Sequence, residues 1–261
     1  MSAMYRQTRC ALPPLPLAGE GRGEGPRAHT SSIATAMAAT AAALLTACSP
    51  SNQGNEWFPL REGETQDYAV RYTGEEPREP EQWTLRVTQP ETFQDRTVAV
   101  RHHSAGVSYY LQVDEQGIRR IATRTDIDSE PTADAEPLWV LKAPYQVGTE
   151  WTTPTVPYLI QRRNEHPRDL KYTHKAQMTW RIEAVDDSVK LADGSEHNPC
   201  LRVVGQARLN LYTDPVNGFT DVPLISREWY CQGEGLVKFE REEKVPSGFL
   251  SGGLLTVEWQ R

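Results

Sequence analysis

Apolar and polar side chains alternate with a period of two along most of the chain after residue 57. Successive residues of a β-strand point to opposite faces of a sheet, so this period places the apolar side chains of each strand on one face. The cleanest runs are 107–113, 178–184 and 201–211, and shorter runs lie at 68–72, 83–87, 98–100, 236–239 and 255–259. The pattern predicts antiparallel strands with one apolar and one solvated face.

Turn signals separate these runs, among them Asp193-Gly194 and Asn217-Gly218. Asp-Gly and Asn-Gly pairs supply the positive φ that tight hairpin turns need. No stretch of a dozen residues after Cys48 carries an apolar stripe at helical spacing, and prolines interrupt most candidates. We therefore predict a mainly β fold with little helix, either an antiparallel β-sandwich or a curved, partly closed β-barrel.

Two segments do not follow the alternating pattern. Residues 130–136 are acidic and contain a proline, which predicts a loop. Residues 161–171 are rich in charge, and we expect them to form either the tip of a long hairpin or a mobile flap.

The segment before residue 48 has the character of a secretion signal. Residues 33–47 carry no charge and are too few for the roughly 20 residues that a bilayer-spanning helix needs. They end in Leu45-Thr46-Ala47-Cys48, which resembles the lipobox of bacterial lipoproteins. The resemblance implies that residues 1–47 are a leader that is removed and that Cys48 carries a diacylglycerol and an N-acyl chain. Residues 48–56 would then be a lipidated tether, and residues 57–261 a single β domain.

The resemblance also implies a place in the cell. In enterobacterial lipoproteins, a residue other than aspartate after the lipidated cysteine directs the protein to the outer membrane, and here that residue is Ser49. We therefore expect a lipid-anchored envelope protein, held at the outer membrane and facing the periplasm.

Residues 12–25 are rich in Pro and Gly and make an improbable leader, because signal peptides normally begin with a short basic region. We expect translation to start further downstream, with the basic region near Arg27.

A second resemblance covers short motifs of the β domain. Trp57-Phe58-Pro59-Leu60 with Gly63 and Tyr68, together with Gly233-Glu234-Gly235-Leu236-Val237-Lys238 near the end, is similar to uncharacterised β-rich lipoproteins of the bacterial envelope. The resemblance implies a fold and little about activity.

Charge excludes some classes of partner. Removing the four Arg and two Glu of the leader from 28 basic and 35 acidic residues leaves 24 and 33, which is a net charge of −9. This balance argues against nucleic acid and against a polybasic membrane patch. The expected partners are the membrane, through Cys48, and an envelope protein or a lipid ligand.

Cys200 and Cys231 are the two cysteines that follow Cys48, and each lies in a strand-like run. Exported proteins meet an oxidising compartment, so we predict a disulfide between them. The alternative, a redox-active or metal-binding thiol pair, is less favoured because the chain has no CxxC motif and no His at ligand spacing.

Catalytic signals are weak. No nucleophile elbow, zinc-protease motif, P-loop or dinucleotide fingerprint occurs. His102 and His103 are adjacent and would point to opposite faces of a strand, so a shared metal is not expected. We expect solvated loops to hold three other histidines and turns or the surface to hold two acidic groups. These are His166, His174 and His197, and the groups 186–187 and 240–243. We predict no catalytic residue, no metal and no cofactor.

Aromatic residues suggest a ligand cavity as an alternative to simple packing. Trp83, Tyr109, Trp180 and Trp229 lie in strand-like runs, where core packing is their ordinary role. If the sheet curves around a cleft, the same four side chains would line a cavity for a lipid or another apolar ligand.

Three functions follow from these features. The first is a membrane-anchored, non-enzymatic structural or interaction module of the cell envelope, which needs no special residues. The second is a carrier for a lipid or other apolar ligand, with residues 161–171 as a mobile cover. The third is a glycan or peptide hydrolase, which requires carboxylates or histidines to converge in one cleft.

Overall fold

The computed structural model describes residues 54–75, 78–163, 169–245 and 248–261. The lipobox and Cys48 therefore lie outside the described residues, as does His166. The described strands are β1 Thr65–Gly74, β2 Glu81–Val87, β3 Glu91–Phe93, β4 Arg96–His103, β5 Val107–Asp114, β6 Gly117–Thr125, β7 Thr132–Lys142, β8 Glu150–Thr155, β9 Gln161–Arg162, β10 Ala176–Lys190, β11 Glu196–Asp214, β12 Gly218–Cys231, β13 Gly235–Glu243, β14 Leu250–Ser251 and β15 Gly253–Gln260. A 3-10 helix spans Leu170–Tyr172.

Thirteen of these strands form one antiparallel sheet. Its order is β7-β6-β5-β4-β2-β1-β15-β13-β12-β11-β10-β8, with β3 paired to β4. The two strands at the ends of the sheet, β7 and β8, follow each other in the chain, and Lys142 Nζ donates to the carbonyl of Glu150 at 3.2 Å. The sheet thus curves back on itself into a nearly closed barrel. This confirms the predicted mainly β fold, its barrel alternative and its low helix content.

The alternating pattern explains why these strands form. Met178, Trp180 and Ile182 of β10 are buried, whereas the residues between them are exposed. The buried positions of the sheet join into one main core, and burying each such side chain contributes roughly 1.5–3 kcal/mol. Two smaller clusters pack separately, one around the cysteines and one around Val98 and Tyr110.

The longest ladder of the molecule joins β11 to β12. It runs from the pair Cys200–Cys231 to the pair Asp214–Gly218. A disulfide joins Cys200 and Cys231, whose Cα atoms are 4.0 Å apart. The predicted disulfide is therefore present, at the base of this hairpin.

The stretch after β8 packs into the barrel. We call residues 156–160 the plug, because Tyr158, Leu159 and Ile160 are buried in the main core. β9 follows the plug and pairs with β14, and Leu170 is also buried. The segment predicted as a hairpin tip or flap, residues 161–171, is therefore held in part against the core at its described residues 161–163 and 169–171.

The predicted acidic loop at residues 130–136 is wrong from Thr132 onward, where β7 begins. Thr132 and Ala133 pair with Thr123 and Ala122 of β6. Asp134 forms a buried two-point ion pair with Arg120, at 2.6 and 2.8 Å. Pairing neutralises the carboxylate, so an acidic segment can enter the sheet.

No helix in the described ranges is long and apolar enough to cross a membrane.

Candidate functional site

The four aromatic residues predicted to line a cavity lie in two different clusters. Trp83, Tyr109 and Trp180 are buried in the main core. Trp180 stacks on Trp151 with ring centroids 6.5 Å apart and donates its indole N–H to Thr153 Oγ1 at 2.8 Å. These contacts are those of packed core residues.

Trp229 is separate from the other three. It is half-buried and packs against the cluster that contains the disulfide. Its indole N–H donates to Asp187 Oδ2 at 3.1 Å, and the Lys238 ammonium lies 5.7 Å from its ring centroid. Asp187 therefore lies within β10 and holds Trp229, rather than lying in a turn.

A buried ion pair fixes the plug. Arg241 and Glu243 are 1% and 0% exposed, with Nε and Oε1 2.7 Å apart. The Glu243 carboxylate also accepts the backbone N–H groups of Tyr158, Leu159 and Ile160, the latter two at 2.8 and 3.2 Å. Consecutive N–H groups of this kind form an anion-binding concavity, and here the protein's own carboxylate fills it.

Arg241 completes the contact from the other side. Its guanidinium donates to Ser226 Oγ at 2.9 Å and to the Val156 carbonyl at 3.1 Å, and it lies 4.6 Å from the Tyr158 ring centroid. The expectation that 240–243 are surface charges is therefore wrong for Arg241 and Glu243. The alternation itself carried a signal, because Arg241 and Glu243 lie two and four residues after the buried Phe239 and so share its face of β13.

A second buried carboxyl lies near this pair. Glu228 is buried, and desolvation raises its pKa to about 8. The Tyr230 hydroxyl donates to Glu228 Oε2, and Oε1 has no hydrogen-bond partner among the described residues. Glu228 therefore carries a proton at neutral pH. Its burial separates it from substrate, so it does not serve as an accessible general acid.

Ser195, His197 and Glu234 form the constellation that most resembles a catalytic arrangement. His197 Nε2 lies 3.1 Å from Ser195 Oγ, and His197 Nδ1 lies 2.7 Å from Glu234 Oε2. These are the contacts of a serine–histidine–carboxylate triad. The expectation that His197 is solvated is wrong, because its ring is buried and packs 5.8 Å from Trp259.

The local hydrogen bonds give this constellation a structural role. The Ser195 hydroxyl lies 2.6 Å from Asp193 Oδ1, which also accepts the Ser195 backbone N–H at 2.8 Å. These bonds keep the pKa of Asp193 below its usual value, so an ionised carboxylate competes with His197 for the serine proton. The Ser195 N–H is occupied as well and cannot stabilise an oxyanion.

The adjacent histidines face opposite sides of β4. His103 is buried, accepts the Ala105 N–H at Nδ1, and has a pKa lowered to about 4 by burial and by Arg101. His102 lies on the other face, 3.2 Å from Ser108 Oγ. Among the described residues, no group of three or more His, Cys, Asp or Glu is placed to hold a metal ion.

An open groove lies where β1, β13 and β15 end. Its volume is about 640 Å³. Glycines shape it, because a Cβ on Gly253 would lie 2.4 Å from the Thr73 carbonyl oxygen. The lining residues are Thr73, Gly74, Glu75, Glu242, Lys244, Val245, Gly252, Gly253 and Leu254.

Exposed apolar side chains cluster at the tip of the β11–β12 hairpin. Tyr212, Val216 and Phe219 are 41%, 92% and 71% exposed. The sequence pattern predicts the turn at Asn217-Gly218, but it did not identify these side chains as exposed. A signal was present, because apolar residues flank a polar turn on both sides.

The chain enters the barrel at the other end of this hairpin. The Gly233 N–H donates to the Glu56 carbonyl at 2.6 Å, and Gln232 Nε2 donates to the Glu56 side chain at 2.7 Å. Gln232 and Gly233 follow directly after Cys231, at the base of the hairpin. The start of the described chain and the apolar tip therefore lie at opposite ends of β12.

A scan of protein-family models finds no match to this chain, and a search of curated proteins finds none either. Among solved structures, a protein of Bacteroides fragilis whose name describes it as exported, with a YmcC-like fold, is 13% identical over 78% of this chain and 98% of its own, with a TM-score of 0.32. A protein of Parabacteroides distasonis named as a lipoprotein is 12% identical over 79% of this chain and 99% of its own, also with a TM-score of 0.32. Both TM-scores are too low to carry an argument, so the interpretation of this chain rests on its own residues.

Proposed function

We propose that the mature chain is a lipid-anchored protein of the cell envelope that acts as a non-enzymatic structural or interaction module. The observation that carries the proposal is the placement of two features at opposite ends of β12. Glu56, near the start of the described chain, contacts the base of the hairpin, and the exposed apolar side chains lie at its tip. A domain held at one end can present the other end to a protein or lipid of the envelope.

The anchor is the first part to test. The mature protein should begin at Cys48 and carry a diacylglycerol and an N-acyl chain, which intact mass and N-terminal peptide mass measure directly. The Cys48→Ser variant should keep its leader and lose the lipid mass. A mature protein that begins elsewhere, or has an unmodified Cys48, would contradict the anchor. Recovery from the outer-membrane fraction tests the expected location.

The absence of catalysis is tested at Ser195. We expect no labelling of this residue by a fluorophosphonate, because Asp193 holds both its hydroxyl and its backbone N–H. The variant Asp193→Asn is a sensitised control, because it weakens the contact that competes with His197 for the Ser195 proton. Labelling of Ser195 in the unaltered protein, lost in His197→Gln, would replace the proposal with a hydrolase.

A carrier of a lipid or other apolar ligand is the second candidate, and the groove at the ends of β1 and β13 and the start of β15 favours it. The groove has the volume of a small-ligand site and includes the apolar residues Val245 and Leu254. Native mass spectrometry of the mature protein tests this candidate. A stoichiometric, lipid-sized adduct that is lost in Leu254→Arg would favour the carrier.

A further inference from the structure

The hairpin formed by β11 and β12 extends beyond its neighbours. The described pairing of β10 with β11 begins at Gln206, and that of β13 with β12 begins at Ile225. The last pairs of the hairpin, as far as Asp214 and Gly218, lie beyond both. We call residues 212–219 the tip. The described strands give its ladder pairs no further neighbour on either side, although Thr213 and Asp214 are buried within it.

Four of the five exposed residues of the tip are apolar, and the fifth is Asn217. Tyr212 and Phe219 are opposite each other in the ladder, and their rings meet edge to face with centroids 5.6 Å apart. Val216 lies in the turn itself and is almost fully exposed. Large exposed apolar side chains that cluster in this way mark a surface that contacts something else.

Several polar groups of the tip are satisfied within it. Asp214 Oδ1 accepts the N–H groups of Val216 and Asn217 at 2.9 and 2.8 Å, and Oδ2 accepts the Asn217 side-chain amide at 2.7 Å. Thr213 Oγ1 donates to the Gly218 carbonyl at 3.0 Å, and Pro215 has no N–H group. The turn can therefore enter a medium of low dielectric constant without leaving these N–H groups unpaired.

Size and chemistry favour a lipid surface over a protein partner. A stable protein interface needs about 800 Å² from each partner, and three side chains on a narrow hairpin supply much less. A bilayer needs no complementary pocket and accepts a convex tip to any depth. Tyrosine prefers the membrane–water interface, which suits Tyr212 beside Phe219, and Val216 in the turn beyond this pair would lie deepest.

We propose that the tip inserts into the surface of a lipid bilayer. The outward residues next to it are Asn210 and Asp221, hydrogen-bonded to each other at 2.9 Å, which would remain among the headgroups. They bring no cluster of positive charge, so insertion does not depend on anionic lipid or on low salt. The site is independent of Cys48. If the proposed anchor is also present, the two attachments hold opposite ends of β12, and the barrel lies along the membrane.

A fluorophore that responds to polarity tests the proposal on the mature protein. Nitrobenzoxadiazole is attached to Val216→Cys, and the matched control carries it at Ile127→Cys, which is 91% exposed in the turn after β6. With saturating phosphatidylcholine vesicles, emission from position 216 should shift to the blue and be quenched by brominated acyl chains. The change should persist at 0.5 M salt, and position 127 should not respond.

Two further measurements keep the result unambiguous. Adding Phe219→Ser to the labelled protein should shift the ratio of lipid-exposed to water-exposed label at position 216 about tenfold towards water in vesicle-bound protein, because a large apolar group is lost. A water-like emission at 216 in vesicle-bound protein, or a shift that requires an envelope protein, would overturn the proposal. Failure of the anchor is recognised separately, because an unmodified Cys48 would itself take up the label.

Discussion

Arg241 is the residue whose loss should cost most at the scale of single side chains. Replacing it with methionine leaves the Glu243 carboxylate buried without its counter-charge, beside the N–H groups of the plug. Breaking a buried pair from one side typically costs about 3–5 kcal/mol. We expect Arg241→Met to lower the free energy of unfolding by about this amount in urea titrations.

The matched control is Arg227→Met. Arg227 pairs with Glu240 and Glu242 on the neighbouring strand, but its side chain is about one-third exposed. Solvent-exposed pairs contribute about 0–1 kcal/mol. Equal losses in the two variants would show that the Arg241–Glu243 pair does not hold the plug.

Glu228 should make the stability of the protein depend on pH. Burial raises its pKa to about 8 in the folded state, from an ordinary value of 4.5. The folded protein therefore holds a proton that the unfolded chain releases. The stability that Glu228 contributes is complete below pH 4.5 and is lost progressively as the pH rises towards 8.

Glu228→Gln removes this dependence while keeping a similar shape. We expect the variant to unfold at higher urea concentration than the parent at pH 8, and the difference to shrink or reverse at pH 5. The difference between the two proteins is the relevant measurement, because titration of other groups cancels in it. A difference that does not change with pH would contradict a buried, protonated Glu228.

At the scale of elements, the disulfide closes the base of the β11–β12 hairpin. Cys200 and Cys231 are separated by 31 positions, and closing a loop of this size should stabilise the fold by roughly 3–4 kcal/mol in the chain-entropy model. The double variant Cys200→Ala/Cys231→Ala should lose about this amount in urea titrations. Trp229 contacts the same cluster, so the variant Trp229→Phe loses packing while the cross-link stays intact. Comparing the two variants separates the contribution of packing from that of the cross-link.

Sequence periodicity predicts the strands well and the charged segments poorly. The runs at 107–113, 178–184 and 201–211 all fall within strands, because alternation and β geometry share one period. Asp134, Arg241 and Glu243 were expected in loops or at the surface. Each is buried through a partner that is remote in sequence or through backbone N–H groups, and no local pattern indicates such a partner.

The site is predicted only in part for the same reason. The turn at the hairpin tip can be read from Asn217-Gly218, but its projection beyond β10 and β13 depends on where those strands stop pairing. Likewise, Glu234 reaches His197 only because the turn after β12 lies beside β11. The disulfide could be predicted from the sequence, because an oxidising compartment favours pairing and only Cys200 and Cys231 follow Cys48.

At the scale of the whole molecule, the order of strands is not visible in the sequence. β1 lies beside β15, so that the first and last strands of the described barrel are neighbours. Loops of nearly the full chain length must close before this pair forms, and such pairings carry no local signature. The sequence pattern therefore permits a sandwich and a barrel equally, and the long-range pairing selects the barrel.

The meeting of β7 and β8 determines where this barrel should open. Each is hydrogen-bonded in the ladder to one neighbour, β6 or β10, whereas β12 is paired on both sides. Amide hydrogens facing the seam should therefore exchange with deuterium faster than those of β12, which peptide-level mass spectrometry can measure. Equal protection would mean that the seam is sealed. Because the chain runs directly from β7 into β8, the barrel can part along this line while every ladder pair in the sheet stays intact.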